Sequence, residues 1–140
     1  MNSASKPVYF IGIVFLAVAA IAGFSQMSKK EIIPWRASWG AAQKEATETN
    51  KPLFIYFTAT WCGPCQSLKS TTWADRDVEA ALQAYVPVKL DEAEHQKLLQ
   101  QYQIRAFPTF IVADSNAAET RRTEGALPPA EFLRWLQSVR

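Results

Sequence analysis

The chain has 140 residues, room for one domain and a short appendage. With 49% hydrophobic and 20% charged residues, it fits a globular core and not a disordered chain. A net charge of +2, with no basic patch carrying interleaved aromatics, argues against a nucleic-acid partner.

Residues 1–30 form the appendage. Met1 to Pro7 is polar, with Lys6 its only charged side chain, and Val8 to Phe24 is then uncharged for 17 residues. As a helix the run would be about 25 Å long, near the lower limit for a hydrocarbon layer of roughly 30 Å. A polar, basic exit from Ser25 to Lys30 follows. The segment reads as an uncleaved signal anchor, with a cleavable signal peptide as the alternative because Ala20-Ile21-Ala22 offers a small-x-small site. Lys6 and the amino terminus are balanced by Lys29 and Lys30, so charge does not orient it. Either reading exports the domain.

Residues 31–37 read as a tether, with Pro34 stopping any helix that runs on from the appendage. Residues 38–140 form the domain. Ser38 caps a predicted helix from Trp39 to about Thr49, with Trp39, Ala42 and Ala46 on one face. Trp35 and Trp39 either anchor this helix to the core, the preferred use, or mark a binding surface. Asn50-Lys51-Pro52 is a stop and turn.

Leu53 to Phe57 has the length and aromatic and β-branched content of a buried strand. Beyond it lies Trp61-Cys62-Gly63-Pro64-Cys65, which holds the only two cysteines, and Gln66 to Lys69 can continue a helix. Cys62 then falls at or just before the first helical turn, where free N–H groups and the positive dipole end favour a thiolate. Thiols so placed in a Cys-x-x-Cys motif have pKa values lowered from about 8.5 to roughly 3.5–7.5. Pro64 suits an early helical position, and Cys65, one turn along, can reach back to Cys62. Three other readings stand beside redox chemistry. A structural disulfide closing so small a ring removes little chain entropy, roughly 2 kcal/mol before strain. Half of a zinc site lacks a second cysteine pair and has a single histidine, His95. Buried thiols without chemistry are the third.

Asp75 caps a predicted helix from Arg76 to Tyr85, and Val86 to Leu90 is a second central strand, with Pro87 tolerable near its start. Asp91 to Glu94 is expected to open the next helix, whose core face is Leu98, Leu99 and Tyr102 and on which His95 is solvated. Thr109 to Ala113 is a strand, and Glu119 to Thr123 a polar edge strand whose Arg121 and Arg122 protect the edge. Pro128-Pro129 opens a final helix with Phe132, Leu133, Leu136 and Val139 inward.

Trp61-Cys62-Gly63-Pro64-Cys65 resembles the active-site signature of the thioredoxin family, and three further landmarks follow in that family's order. Val88-Lys89-Leu90-Asp91 resembles its third strand. Tyr102 to Thr109 resembles the approach to its cis-proline, and Gly125-Ala126-Leu127 the turn before its last helix. The match runs from about Trp35 to Arg140. With Trp35, Trp39 and Asn50-Lys51-Pro52 ahead of the motif, the pattern is most similar to the exported C-terminal domain of transmembrane thiol–disulfide interchange reductases.

The resemblance implies an α/β thioredoxin fold, a central mixed sheet flanked by helices, here preceded by an N-terminal hydrophobic helix. It implies Cys62 as nucleophile, Cys65 as resolving thiol and a redox-active Cys62–Cys65 disulfide, supported by Trp61, Gly63, Pro64 and Lys89. Phe107, Pro108 and Gly125 would border the substrate: a cis Phe107–Pro108 bond lies opposite the cysteines, an extended polypeptide pairs there strand to strand, and Gly125 allows close backbone approach. Protein disulfides are the implied substrates, a membrane or soluble thiol the electron donor, and no cofactor or metal is implied. The chain also departs from the family. Tyr56 stands where a buried aspartate usually serves the second cysteine, and a phenol with a pKa of about 10 is no carboxylate base. Tyr56 is expected to be a packing residue. Deprotonation of Cys65 is left to water, Lys89 or a group the sequence does not reveal. Phe107 is bulkier than the usual aliphatic residue, and Ala106 replaces a common glycine.

Overall fold

The computed structural model describes residues 29–139. The apolar run 8–24, read above as an anchor, lies outside them. Among the described residues no helix is long and apolar enough to cross a membrane.

Four strands form one sheet: β1 (Leu53–Thr58), β2 (Val86–Asp91), β3 (Thr109–Ala113) and β4 (Glu119–Glu124), in the order β2-β1-β3-β4. β1 runs parallel to β2 and antiparallel to β3, and β3 pairs antiparallel with β4. β1 is covered on both faces, which is why it reads as an unbroken apolar run. Strand alternation sends Phe54 and Tyr56 into an aromatic layer with Trp73, Phe110 and Phe132, and Leu53, Ile55 and Phe57 into an aliphatic layer with Val86, Val88 and Ile111. Each such buried side chain contributes about 1.5–3 kcal/mol relative to exposure.

Helix α1 (Trp39–Thr49) begins where Ser38 accepts the Ala41 N–H at 3.2 Å, and ends at Asn50 in the left-handed region, φ 52°. Its Ala42 and Ala46 are fully buried on the aliphatic layer. Trp39 meets Tyr102 edge to face at 6.1 Å, while Trp35 packs on Phe54, Tyr56 and Trp73, so both indoles are anchors. The segment before α1 is seated on the fold as well. Ile33 is buried, the Ile32 N–H donates to Trp73 O at 2.7 Å, and Arg36 bridges to Val88 in parallel, along the free edge of β2.

Helix α2 (Gly63–Leu68) follows β1, and a short 3₁₀ turn, Thr72–Ala74, leads to α3 (Arg76–Leu82). Asp75 Oδ1 caps α3 by accepting from Asp77 and Val78 N–H at 2.9 and 3.1 Å. α3 stops before the expected Tyr85, because the chain tightens (Tyr85 N–H to Leu82 O, 3.0 Å) to bring the Val86 N–H onto Pro52 O at 2.8 Å. The helix expected from Asp91 begins only at Gln96, as α4 (Gln96–Gln101). Asp91 is still paired with Thr58 in the sheet, and its carboxylate closes a turn on the Ala93 N–H at 3.0 Å instead of opening a helix. His95 accordingly lies half-buried ahead of α4, not on a solvated helix face, with Nδ1 3.0 Å from Asp91 O. Helix α5 (Pro129–Gln137) closes the aromatic layer with Phe132 and Leu136. The β4 arginines are tied in: Arg122 pairs with Glu119 and donates to Tyr102 O at 2.8 Å, and Arg121 donates to Ser138 O at 3.2 Å.

Candidate functional site

β1 delivers the chain to the top of the sheet, where the Cys62 N–H closes a turn on Ala59 O at 3.2 Å. Cys62 has extended backbone (φ −81°, ψ 106°) and occupies the N-cap of α2, with Pro64 inside the first turn. Its Sγ therefore takes the place of a capping oxygen and accepts the Cys65 N–H at 3.2 Å. The two cysteines, with Cα atoms 5.3 Å apart, are joined as a disulfide. This N–H favours negative charge on Cys62 sulfur once the disulfide opens, since a donor aimed at an anion is strengthened by its charge.

The cysteine pair is more enclosed than its place at a strand end suggests. Cys62 is 3% exposed and Cys65 1%, packed with Ala59 and Phe107. Phe107 has the bulk to lie on the disulfide and on the aliphatic layer together. Trp61, 70% exposed, meets Phe107 edge to face at 5.7 Å and donates from Nε1 to Glu92 at 2.7 Å. An open groove borders these rings and runs along Gln96, Gln100 and Ile104.

The Phe107–Pro108 peptide is cis, and Pro108 O accepts the Gly125 N–H at 2.8 Å. Thr109 Oγ1 donates to Ala106 O at 2.7 Å, fixing the bend that precedes β3. Gly125 was expected to allow close backbone approach of a substrate, and within the protein itself a Cβ there would meet nothing within 4 Å. Its φ of +89°, a region L side chains rarely adopt, explains the glycine. Trp61, Gly63 and Pro64 flank the cysteines along the chain and Phe107 packs on them, with Pro108 next to Phe107 and Gly125 one hydrogen bond from Pro108.

Lys89 stands apart from that group, opposite Tyr56 in the strand register and on the sheet face away from the aliphatic layer that Phe107 touches. Its Nζ lies 3.0 and 2.9 Å from the two oxygens of Glu31 and 5.6 Å above the Trp35 ring. Trp35 Nε1 donates to the same carboxylate at 2.5 Å. Tyr56, buried as expected among aromatic rings, brings its Oη 3.5 Å from Cys65 O. Burial pushes the phenol above its ordinary value, so it stays protonated. Glu31 was not singled out in the sequence. It sits in a stretch without periodicity and meets Lys89 58 residues away, so its only signal was indirect: a family lysine present without its usual aspartate. Among the described residues no group of three or more His, Cys, Asp or Glu side chains could hold a metal.

Residues 39–140 match the family model described as a thioredoxin-like domain. Rice (Oryza sativa subsp. japonica) chloroplastic thioredoxin Y is 35% identical over 93 residues, which cover 66% of this chain and 53% of the relative. The thiol:disulfide interchange protein DsbD of Vibrio vulnificus is 31% identical over 100 residues, 67% of this chain and 17% of that protein. The chain therefore spans about half of the rice relative and a much smaller part of the interchange protein. Among solved structures, a thioredoxin from Thermus thermophilus superposes with a TM-score of 0.68 at 27% identity, covering 81% of this chain and 88% of its own. The oxidised C-terminal domain of Neisseria meningitidis DsbD gives 0.65 at 24% identity, over 72% of this chain and 91% of that domain, a likeness of fold. The matched span takes in the whole of the sheet, the capped cysteine pair and the cis-proline bend, and on it the chain belongs to the thioredoxin-like domain family.

Proposed function

We propose that the chain is a thiol–disulfide oxidoreductase that reduces protein disulfides outside the cytoplasm, held to a membrane through residues 8–24. One observation carries the chemistry: Cys62 sulfur sits at a helix N-cap with a backbone N–H directed at it, bonded to a second cysteine one turn away.

In the reduced protein Cys62 thiolate attacks a sulfur of the substrate disulfide, forming the Cys62–substrate bond and expelling the other substrate sulfur as a thiolate, which takes up a proton. Cys65, deprotonated, then attacks Cys62 sulfur. The Cys62–Cys65 bond forms, the mixed disulfide breaks, and the second substrate sulfur leaves reduced. Two electrons have passed to the substrate, and a thiol donor, membrane-bound or soluble, must return them. The groove beside Trp61 and Phe107 suits an extended polypeptide, with those two rings as its apolar wall. Reduction is favoured over oxidation by the Gly63-Pro64 insert, which resembles reducing thioredoxins. The uncharged run from Val8 to Phe24 and the similarity to an interchange protein support work beyond a membrane.

The test is a trap. Cys65→Ala in cells should accumulate mixed disulfides through Cys62 that reducing agents dissolve, and Cys62→Ser should give none. If no such adduct forms, the oxidoreductase reading fails.

A further inference from the structure

We propose that Glu31 is the proton acceptor for Cys65, supplying from the segment before α1 the carboxylate that β1 lacks at Tyr56. The inference rests on the dithiol mechanism above and names the group that mechanism needs for its second step.

Glu31 is a fixed acid. Lys89 Nζ reaches both of its oxygens, Trp35 Nε1 reaches one, and its side chain is only 20% exposed. The backbone beside it is pinned by the Ile32 N–H on Trp73 O, and the next side chain, Ile33, is in the core. Anchoring of this kind gives the carboxylate a single place, which a proton transfer needs.

That place opens on a cavity of about 250 Å³, which Glu31 and Lys89 line together with Tyr56 and Ala59. Ala59 also packs with both cysteines, and Tyr56 Oη donates to the backbone oxygen of Cys65 at 3.5 Å. The space has room for several waters at about 30 Å³ each, a file of which would run from Glu31 to Ala59, against the cysteine pair. Tyr56, kept protonated by burial, can pass a proton along but not retain one in exchange for its own.

The other charged groups facing the cavity fit the role less well. Lys89, on β2, has its ammonium directed at Glu31, so it compensates the carboxylate's charge and offers no lone pair. Asp91, at the end of the same strand, spends Oδ1 on the Ala93 N–H. His95 turns Nδ1 to Asp91 O. Lys69, after α2, and Glu94, in the turn before α4, are exposed on the rim.

The step balances simply. The Cys65 S–H bond breaks, its proton passes through water to the Glu31 carboxylate, and the sulfur keeps the electron pair it uses on Cys62. The departing substrate thiolate takes a proton in turn, and Glu31 returns its own to solvent through the cavity mouth. Glu31 touches no reacting sulfur, so it is a positioning residue in the sense that it acts through water.

Dithiobis(nitrobenzoate), a chromogenic disulfide, separates the two steps. Cys62 attack releases one coloured thiolate, and Cys65 resolution of the mixed disulfide releases the second. In the reduced full-length chain in detergent, Glu31→Gln should leave the first release within about twofold. It should slow the second by about tenfold to a hundredfold near neutral pH, the range of a relayed general base. The gap should close as pH rises past the ordinary thiol value of about 8.5, where Cys65 ionises unaided. Glu31→Asp should recover part of the rate. A Glu31→Gln second release with the native pH profile, or slowed by one factor at every pH, overturns the proposal and leaves the dithiol mechanism standing. Absence of the first release from the native chain sinks both.

Discussion

In front of the Cys62–Cys65 disulfide stand two aromatic rings, Trp61 and Phe107, meeting edge to face at 5.7 Å beside an open groove. To the rear, on the sheet face that carries Tyr56, a carboxylate and an ammonium, Glu31 and Lys89, meet at 2.9 Å on the wall of a cavity. The two regions serve the same sulfurs in different ways. The front is apolar and partly exposed, suited to excluding water from an incoming chain and to burying its side chains. The rear is charged yet held, suited to moving a proton. The difference teaches that a dithiol site has two separable demands, access for the first thiol and deprotonation of the second, and that this chain meets them with elements far apart in sequence.

Phe107→Ala breaks the front and should have the larger effect. Phe107 is half-buried against both the disulfide and the aliphatic layer, so its loss should cost about 1–3 kcal/mol, less than a fully buried phenylalanine, read from urea unfolding. Access to Cys62 should widen, and its first attack on a small disulfide should speed up severalfold, with the pH profile of the second step unchanged. If both steps shift together, front and rear are not separable.

Glu45→Gln probes the rear from a distance and should have the smallest effect. Arg36 holds the segment that carries Glu31 against α1 through Glu45, with Nε 2.5 Å from Oε2, and this hydrogen bond holds the Glu45 carboxyl below its usual range. A folded-state pKa lowered in this way adds stability that is present above the unfolded value of about 4.3 and is lost as pH falls through the folded one. With both side chains about a third exposed, the pair should contribute about 0.2–1 kcal/mol near pH 7. The substitution should remove that difference at neutral pH and make none in strong acid, as thermal unfolding across pH would record. An equal loss in acid would mean that packing, not charge, holds the segment.

Much of this architecture was legible because local chemistry and tertiary context agree. Ser38 and Asp75 are caps with the N–H partners their positions predict, and the alternation along β1 sorts its side chains correctly into two layers. The start of α4 was missed because Asp91 can serve either as a first-turn acid or as the closer of a turn, and its pairing with Thr58 decides for the turn. The positive φ of Gly125 was not legible, since no residue type states a backbone angle alone. At the site, the cysteine pair and the proline bend are contiguous motifs and stood out. Glu31 did not, since its partners Lys89 and Trp35 lie on different elements and only the folded chain brings them together.

The central claim is that Cys62 is an acidic thiol at a capped helix start, reachable from solvent once reduced. The direct measurement is the pH dependence of its alkylation by iodoacetamide in the reduced full-length chain, read with Cys65→Ala to isolate the one thiol. The account predicts an inflection at least about one unit below the ordinary cysteine value of about 8.5. An inflection at that ordinary value, or no alkylation at any pH, would contradict it.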